Sequence, residues 1–390
     1  MRRINYPYTN YIEKEKFKED YYNLLKKKID VVTFEAILKM IDSNLTLKAL
    51  ITSDFSELLS ISKKIKKSKY EKNIKAFFIK NDKMLYDQCQ IIISGFLMDK
   101  KMELNTCHYC NIDFINTVEQ HYKFKSVKEF ILEAPYHVLM LIKEINSTTA
   151  KRIIKYRKYY NWTINWTSLL NKSVYNSLFK LFNKKNITDS NALDLSNIVI
   201  KKNHFTLDHV LPKNEYAFLS LSIFNLVPSC YSCNSKFKHQ KELTINNDLE
   251  MLCPTSENFR LHDLMHFKMK FNINDVEFER KINEIKEVKD VEIILENTSS
   301  IEGVDEFIDI FKLQSRYEFH KYISFEMIEN RKSYSDSQIK EFSEIFLKKG
   351  IVKDADSIKK NIFGKALFEE TNSPFEKYRR DIAKQLGLIK

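Results

Sequence analysis

Glycine and proline are scarce in this chain, 5 and 6 among 390 residues. So few turn-formers count against an all-β protein, whose many tight turns draw on both. No apolar run approaches the length that crosses a bilayer, and Met1-Arg2-Arg3 leads into Ile4, Asn5 and Tyr6, not into a leader-like apolar stretch. A soluble, cytoplasmic protein with no membrane partner is therefore expected. No internal repeat and no low-complexity linker occurs, which removes repeat architectures. Tryptophan appears only as Trp162 and Trp166, one helical turn apart.

What is present points to helices. Hydrophobic residues make up 43% of the chain, enough for real cores and too many for disorder. Phe34, Ile37, Leu38 and Ile41 follow helical spacing, and Tyr86–Leu97 forms an apolar helix-like run containing Cys89. Val127–Ile145 and Thr149–Tyr160 read as amphipathic helices, and a turn or cap region follows at 187–197. Phe267–Phe278 and Val291–Leu295 alternate apolar and polar residues, as a small hairpin would. Helical spacing returns at Val304, Phe307, Ile308 and Phe311. The last helix is expected to open at Ser373-Pro374-Phe375-Glu376, a capping box with Pro at the first helical position, and to stop at Gly387. The expected class is mainly α with a small α+β core.

The net charge is +12, from 64 basic and 52 acidic residues. Between Thr117 and Asn203 stand 15 basic and 6 acidic residues, so this segment holds +9 of the excess. A basic balance fits nucleic acid, an anionic membrane or acidic partners. The lysine-rich stretch Ser60–Lys75 reads most simply as a solvated helix face.

Six cysteines occur, and without an export signal a disulfide framework is not expected. Four fall in two pairs, Cys107-His108-Tyr109-Cys110 and Cys230-Tyr231-Ser232-Cys233. One tight turn of this kind presents two thiolates, and two such turns close a tetrahedral zinc site. Unrelated buried pairs or a redox pair are the alternatives. His108 is not read as a ligand, and Cys89 and Cys253 read as packing residues.

Around the second pair lies a chemical constellation. Asp208 and His209 are neighbours on an expected strand, Phe205–Leu211, and so face opposite sides. Asp208 is placed to hold a divalent cation and His209 to act as base on a water, which is what phosphodiester hydrolysis requires. Asn225, in an expected loop, can brace the histidine. Asn234 follows Cys233 in the first turn of an expected helix, within reach of a metal on Asp208. Each residue alone is commonplace; their order and their tie to the knuckle carry the reading.

Asp208-His209, then Asn225-Leu226-Val227-Pro228-Ser229-Cys230-Tyr231-Ser232-Cys233-Asn234 and Lys238, resembles the zinc-containing HNH endonuclease signature, in an H-N-N variant. The resemblance implies a ββα-metal fold with a structural zinc on Cys107, Cys110, Cys230 and Cys233. It implies His209 as general base, Asp208 as metal ligand, Asn225 as loop brace and Asn234 in the third signature position. The implied catalytic ion is Mg²⁺, or Mn²⁺ in its stead. Asn234 stands where a histidine is commoner, and an amide oxygen, the harder donor, suits Mg²⁺. An insertion of over 80 residues also separates the first knuckle from the strand.

The flanks are loosely similar to HNH proteins of bacterial anti-phage defence, the Septu type among them. This rests on Asp208-His209-Val210-Leu211-Pro212-Lys213 with Tyr216, on Arg316-Tyr317-Glu318-Phe319-His320, and on the tail Arg380-Asp381-Ile382-Ala383-Lys384-Gln385-Leu386-Gly387-Leu388. The family's frequent Tyr-Pro is here Tyr216-Ala217. A partner ATPase or sensor protein is implied, docking on terminal regions that carry no readable chemistry and that read equally as scaffold.

Four regions are expected: helical 1–100, a zinc-stapled HNH module at 101–116 plus 204–255, a basic helical insertion at 117–203, and a mostly helical 256–390. Lys213, Lys236 and Lys238 flank the motif and are expected on backbone phosphates. Lys151, Lys155 and Lys158 share one helix face amid aromatics. That face reads equally as a grip on nucleic acid and as an ordinary solvated surface. The expected activity is cleavage of DNA. A ribonuclease on the same scaffold and a non-catalytic zinc-stapled binding module stand as alternatives.

Overall fold

The computed structural model describes the chain except for residues 81–82, 101, 126, 143–144, 158–196, 247, 272–281, 351–354, 370 and 390. It is mainly helical, with small two-stranded sheets. Among the described residues, no helix is long and apolar enough to cross a membrane. Two compact units emerge: Met1–Thr117 with Asn203–Lys390, and Val118–Lys202. The second unit's limits lie one residue inside the expected insertion. The terminal regions do not separate from the cysteine-bearing centre but belong to the first unit with it.

In the first unit, the N-terminal helices bury one stripe each. Phe34 and Leu38 turn inward on Val31–Lys39, as do Phe55, Leu58, Ile61 and Ile65 on Phe55–Lys66. Lys63 and Lys64 stay outside, so this part of the lysine-rich stretch is a solvated face. Helix Leu85–Asp99 buries Tyr86, Cys89, Ile93 and Leu97. Tyr21 donates its hydroxyl to the Leu221 carbonyl at 2.7 Å, one of the contacts that tie these helices to the central module.

Met265–Phe271 and Val291–Asn297 form the expected antiparallel hairpin, Met269 opposite Ile293. Met265, Phe267 and Met269 face the core with Val291, Ile293 and Leu295. A two-stranded hairpin has two open edges, whose buried amides need partners. Helix side chains supply them. On one edge, Asp381 accepts from the Phe267 amide at 2.9 Å, and Gln385 both accepts from and donates to the Met269 backbone at 2.8 Å. On the other, Glu318 accepts from the Ile293 amide at 2.7 Å, while Gln314 bridges the Leu295 amide and the Ile293 carbonyl. The tail and the Arg316–His320 stretch are thus edge caps for one hairpin.

Two helices differ from expectation. The expected Val127–Ile145 helix breaks into Val127–Glu133 and Tyr136–Leu139, because Pro135 lacks an amide donor and sits extended at ψ 162°. The last helix begins at Glu376, not at Pro374. Phe375 takes a left-handed φ of 60° and gives its amide to the Asn111 carbonyl at 2.7 Å, so this turn is spent on the first cysteine knuckle. Half of the capping box survives, with the Ser373 amide on Glu376 at 3.2 Å. The expected stop holds: Gly387 has φ 67°, and the Leu388 amide closes on the Ala383 carbonyl.

In the second unit, Ser147–Arg157 turns Ala150 and Ile153 inward and leaves Lys151 and Lys155 exposed. Lys158, Trp162, Trp166 and the turn region up to 196 lie outside the described residues.

Candidate functional site

The two knuckles, far apart in sequence, meet. The Sγ atoms of Cys107, Cys110, Cys230 and Cys233 all lie within 4.8 Å of one another, and all four residues are buried. Each knuckle is a tight turn, with the Asn111 amide on the Cys107 carbonyl and the Asn234 amide on the Cys230 carbonyl. The amides of Ile112 and Cys233 point at the sulfurs of Cys110 and Cys230, 3.4 Å each. Asn111 takes the left-handed φ of 52° that closes the first turn. These residues fit a zinc ion: the donors are all thiols, and a tetrahedron with 2.3 Å bonds has sulfur–sulfur edges of about 3.8 Å. Burial raises the cost of a thiolate here. Contacts from its three sister cysteines and from Arg316 nonetheless hold the Cys110 thiol well below its ordinary value. Contacts with Cys107 and Cys110 push Cys230 up, and burial followed by the sister cysteines pushes Cys233 up. Four thiols sharing one favoured negative charge are a donor set that a cation completes.

Cys89 and Cys253 stand outside this cluster, and the Cys253 thiol meets the Thr255 hydroxyl at 3.0 Å. His108 is buried with Nδ1 on the Arg2 carbonyl.

Around the cluster runs a shell the sequence does not announce. Arg316 sets Nη1 3.2 Å from Cys233 Sγ and Nη2 3.0 Å from Asp113, its guanidinium over the Phe237 ring. Tyr317 gives its hydroxyl to the Cys110 carbonyl at 2.6 Å.

Next to the second knuckle, Thr206–His209 pairs antiparallel with Leu226–Ser229, with Asp208 opposite Val227 and His209 opposite Leu226. A π-helical turn, Ser232–Lys238, follows and carries Cys233 and Asn234. The order is strand, strand, helical turn.

His209 is buried against the edge of Tyr86, ring centroids 4.4 Å apart. Its Nε2 lies 2.9 Å from the Ser220 carbonyl, which can only accept, so Nε2 carries the proton and Nδ1 keeps its lone pair. Burial lowers the imidazole to a pKa of about 4, against the raising effect of the Ser220 bond. Asn225 is fully buried and spans the loop: its Oδ1 accepts from the Leu211 amide, and its Nδ2 donates to the carbonyls of Leu211 and Leu219. It therefore fixes both the end of the His209 strand and the turn that carries Ser220.

Asp208 is buried, and its Oδ2 accepts from the Tyr109 hydroxyl and from Lys238 Nζ, each at 2.6 Å. Tyr109 lies between the cysteines of the first knuckle, so the cluster and this carboxylate share a residue. Lys238, expected on phosphate, is not a surface lysine. Its side chain is 5% exposed, and Nζ is split between Asp208 and the His209 carbonyl at 2.6 Å. Asn234 directs its amide nitrogen at the Leu207 carbonyl, 3.4 Å away. A divalent ion on Asp208 and Asn234 would have to displace the ammonium from Oδ2 or share the carboxylate with it. The signal for Lys238 was present: four residues after Asn234 on a helical turn, it shares that residue's face.

His209, Asp208, Asn234 and Lys238 line one cavity of about 600 Å³ with Tyr86, Gln90 and Lys213. Lys213 rests 3.0 Å from Asp87 and over the Tyr86 ring. Lys236 is exposed nearby in sequence but is not among the cavity's lining residues. The structure brings His209, Asp208, Asn225, Asn234 and the four cysteines into one neighbourhood; Lys151 and Lys155 belong to the other compact unit. In comparisons with known proteins, no family model, no curated protein and no solved structure matches this chain.

Proposed function

We propose that this chain is a phosphodiester-cleaving endonuclease of the HNH kind, acting on DNA. The observation that carries the reading is His209, neutral at pH 7, protonated on Nε2 by its Ser220 contact and lining an open cavity with Nδ1 free to take a proton. No hydrogen bond to Nδ1 is found among the described residues. The strand–strand–helical turn order and the Asn225 brace support the same reading.

In the proposed step a water oxygen bonds to phosphorus, and His209 Nδ1 takes the proton that water loses. The Ser220 carbonyl stabilises the imidazolium as it forms. The phosphorus–oxygen bond to the leaving group breaks, and that oxygen is protonated from solvent. Lys213 at the cavity wall and the chain's net charge of +12 favour a polyanionic substrate. The cysteine cluster, when metal-loaded, holds the knuckles together and takes no part in the chemistry.

Zinc-loaded protein is expected to nick supercoiled plasmid and to cut labelled DNA in preference to labelled RNA. His209→Ala should lose about 10² or more in rate, the usual worth of a positioned base. Undiminished cutting by that variant would sink the assignment.

A further inference from the structure

The Asp208–Lys238 contact lies inside the proposed active site yet belongs to no step above. Lys238 is 4% exposed, and its ammonium sits 2.6 Å from both Asp208 Oδ2 and the His209 carbonyl. An ammonium has three donors, so two are spent and one remains. The same Oδ2 also accepts from Tyr109, so this oxygen is already bonded twice. Magnesium-like ions hold carboxylate oxygens at 2.0–2.1 Å and demand near-ideal octahedral geometry. On Oδ2 such an ion would share one oxygen with an ammonium of like charge, and on the other oxygen it would share the carboxylate with it. Of the other acids lining this cavity, Asp87 is paired with Lys213 and Glu215 with Lys66, and the Glu242 carboxyl is raised by burial and by Glu215 beside it, so it gives up its proton less readily. Lys238 ends the π-helical turn, and His239 after it takes a left-handed φ of 45°, uncommon for a non-glycine residue.

We infer that Lys238 is the resident cation of this site: its ammonium fills the place on Asp208 that a divalent ion would take, and its remaining proton is the site's donor to a phosphate oxygen. The assignment rests on the nuclease reading for its consequence in cleavage, but not for the occupancy itself. The resident cation is part of the chain, so the wild-type protein has no Asp208-dependent divalent site to fill.

The test is Mn²⁺ binding, followed by electron paramagnetic resonance, on the zinc-loaded full chain. Wild type is expected to show no saturable site tighter than about 1 mM. Lys238→Met should gain one site at least about tenfold tighter, lost again in Lys238→Met/Asp208→Asn. Zinc content and melting curves report whether the single variant folds. If it does not, wild type against Asp208→Asn still decides. A wild-type Mn²⁺ site that Asp208→Asn abolishes overturns the inference, and no such site in either supports it. Failure of every protein to cut nucleic acid, with this binding pattern intact, would count against the nuclease reading and leave the cation assignment standing.

Discussion

Arg316→Met is expected to loosen the cysteine centre without touching a cysteine. The guanidinium makes two directed contacts, 3.2 Å to Cys233 Sγ and 3.0 Å to Asp113. The Asp113 arm ends on a carboxylate whose side chain is 39% exposed, so solvent screening keeps it below about 1 kcal/mol. The sulfur arm is better buried and charge-assisted, and such bonds contribute about 1.5–3 kcal/mol. Burial alone would push the guanidinium pKa down, but the sulfurs of Cys110 and Cys233, and then Asp113, hold it above its ordinary value. Partners outside the ligand set typically tune metal affinity by about 10- to 100-fold, the same size as this contact. Zinc affinity, measured by competition with a coloured chelator, should therefore fall by about that factor. Arg316→Lys should fall between, since an ammonium keeps the charge and loses the fork. Arg331→Met, which removes a pair with Asp336 elsewhere in the fold, serves as the control. An Arg316→Met protein that binds zinc within twofold of wild type would refute the reasoning.

Two further outcomes follow from the site. Asn225→Ala strands the Leu211 amide and the carbonyls of Leu211 and Leu219 in a buried loop, and should cost about 2–4 kcal/mol in urea unfolding; a loss under 1 kcal/mol would show that the loop holds itself. The pH dependence follows from His209, whose folded pKa of about 4 lies below the ordinary histidine value near 6.5. The unfolded chain takes this proton first, so the stability linked to neutral His209 is complete above about pH 6.5 and drains away as pH falls toward 4, by roughly 3 kcal/mol in all. His209→Gln should flatten that part of the urea profile. The acid limb of cleavage should likewise bend near pH 4, and a limb near 6.5 would place the base elsewhere.

How far the fold was legible depended on how local each signal was. Alternation located the described part of the hairpin, because the pleat puts every second side chain on the core; the expected stretch 272–278 lies outside the described residues. Gly387 stopped its helix because only glycine takes that turn cheaply. The start of the same helix misled: Ser373-Pro374 is a good local opening, but Asn111, some 260 residues earlier in the chain, claims the Phe375 amide. The broken helix at Pro135 was a local signal that the amphipathic pattern outweighed. In the site, motif order grouped His209, Asn225, Asn234 and the cysteines, and the structure sets the four cysteines together. Motif order did not foretell Tyr109 on Asp208, Tyr86 on His209 or Arg316 on Cys233. Each of those contacts depends on where a distant element packs, and no spacing rule encodes that.

The flank motifs show why a sequence likeness and a mechanism must be argued separately. Arg316, Tyr317 and Glu318 are consecutive on one helix, yet their side chains reach Cys233, the Cys110 carbonyl and the Ile293 amide respectively. From the tail, Asp381 and Gln385 reach the opposite edge of the same hairpin. These contacts couple the cysteine centre to the hairpin through a short helix. A substitution of Arg316, Tyr317, Glu318, Asp381 or Gln385 would therefore act by loosening the cysteine centre or opening the sheet edge. Loss of function there identifies a docking surface only where zinc content and the melting curve are unchanged. Phe319, the one residue of the Arg316–His320 stretch that is a large exposed hydrophobic, is the position at which such a result carries meaning, because at 80% exposure it supports neither the cluster nor the hairpin.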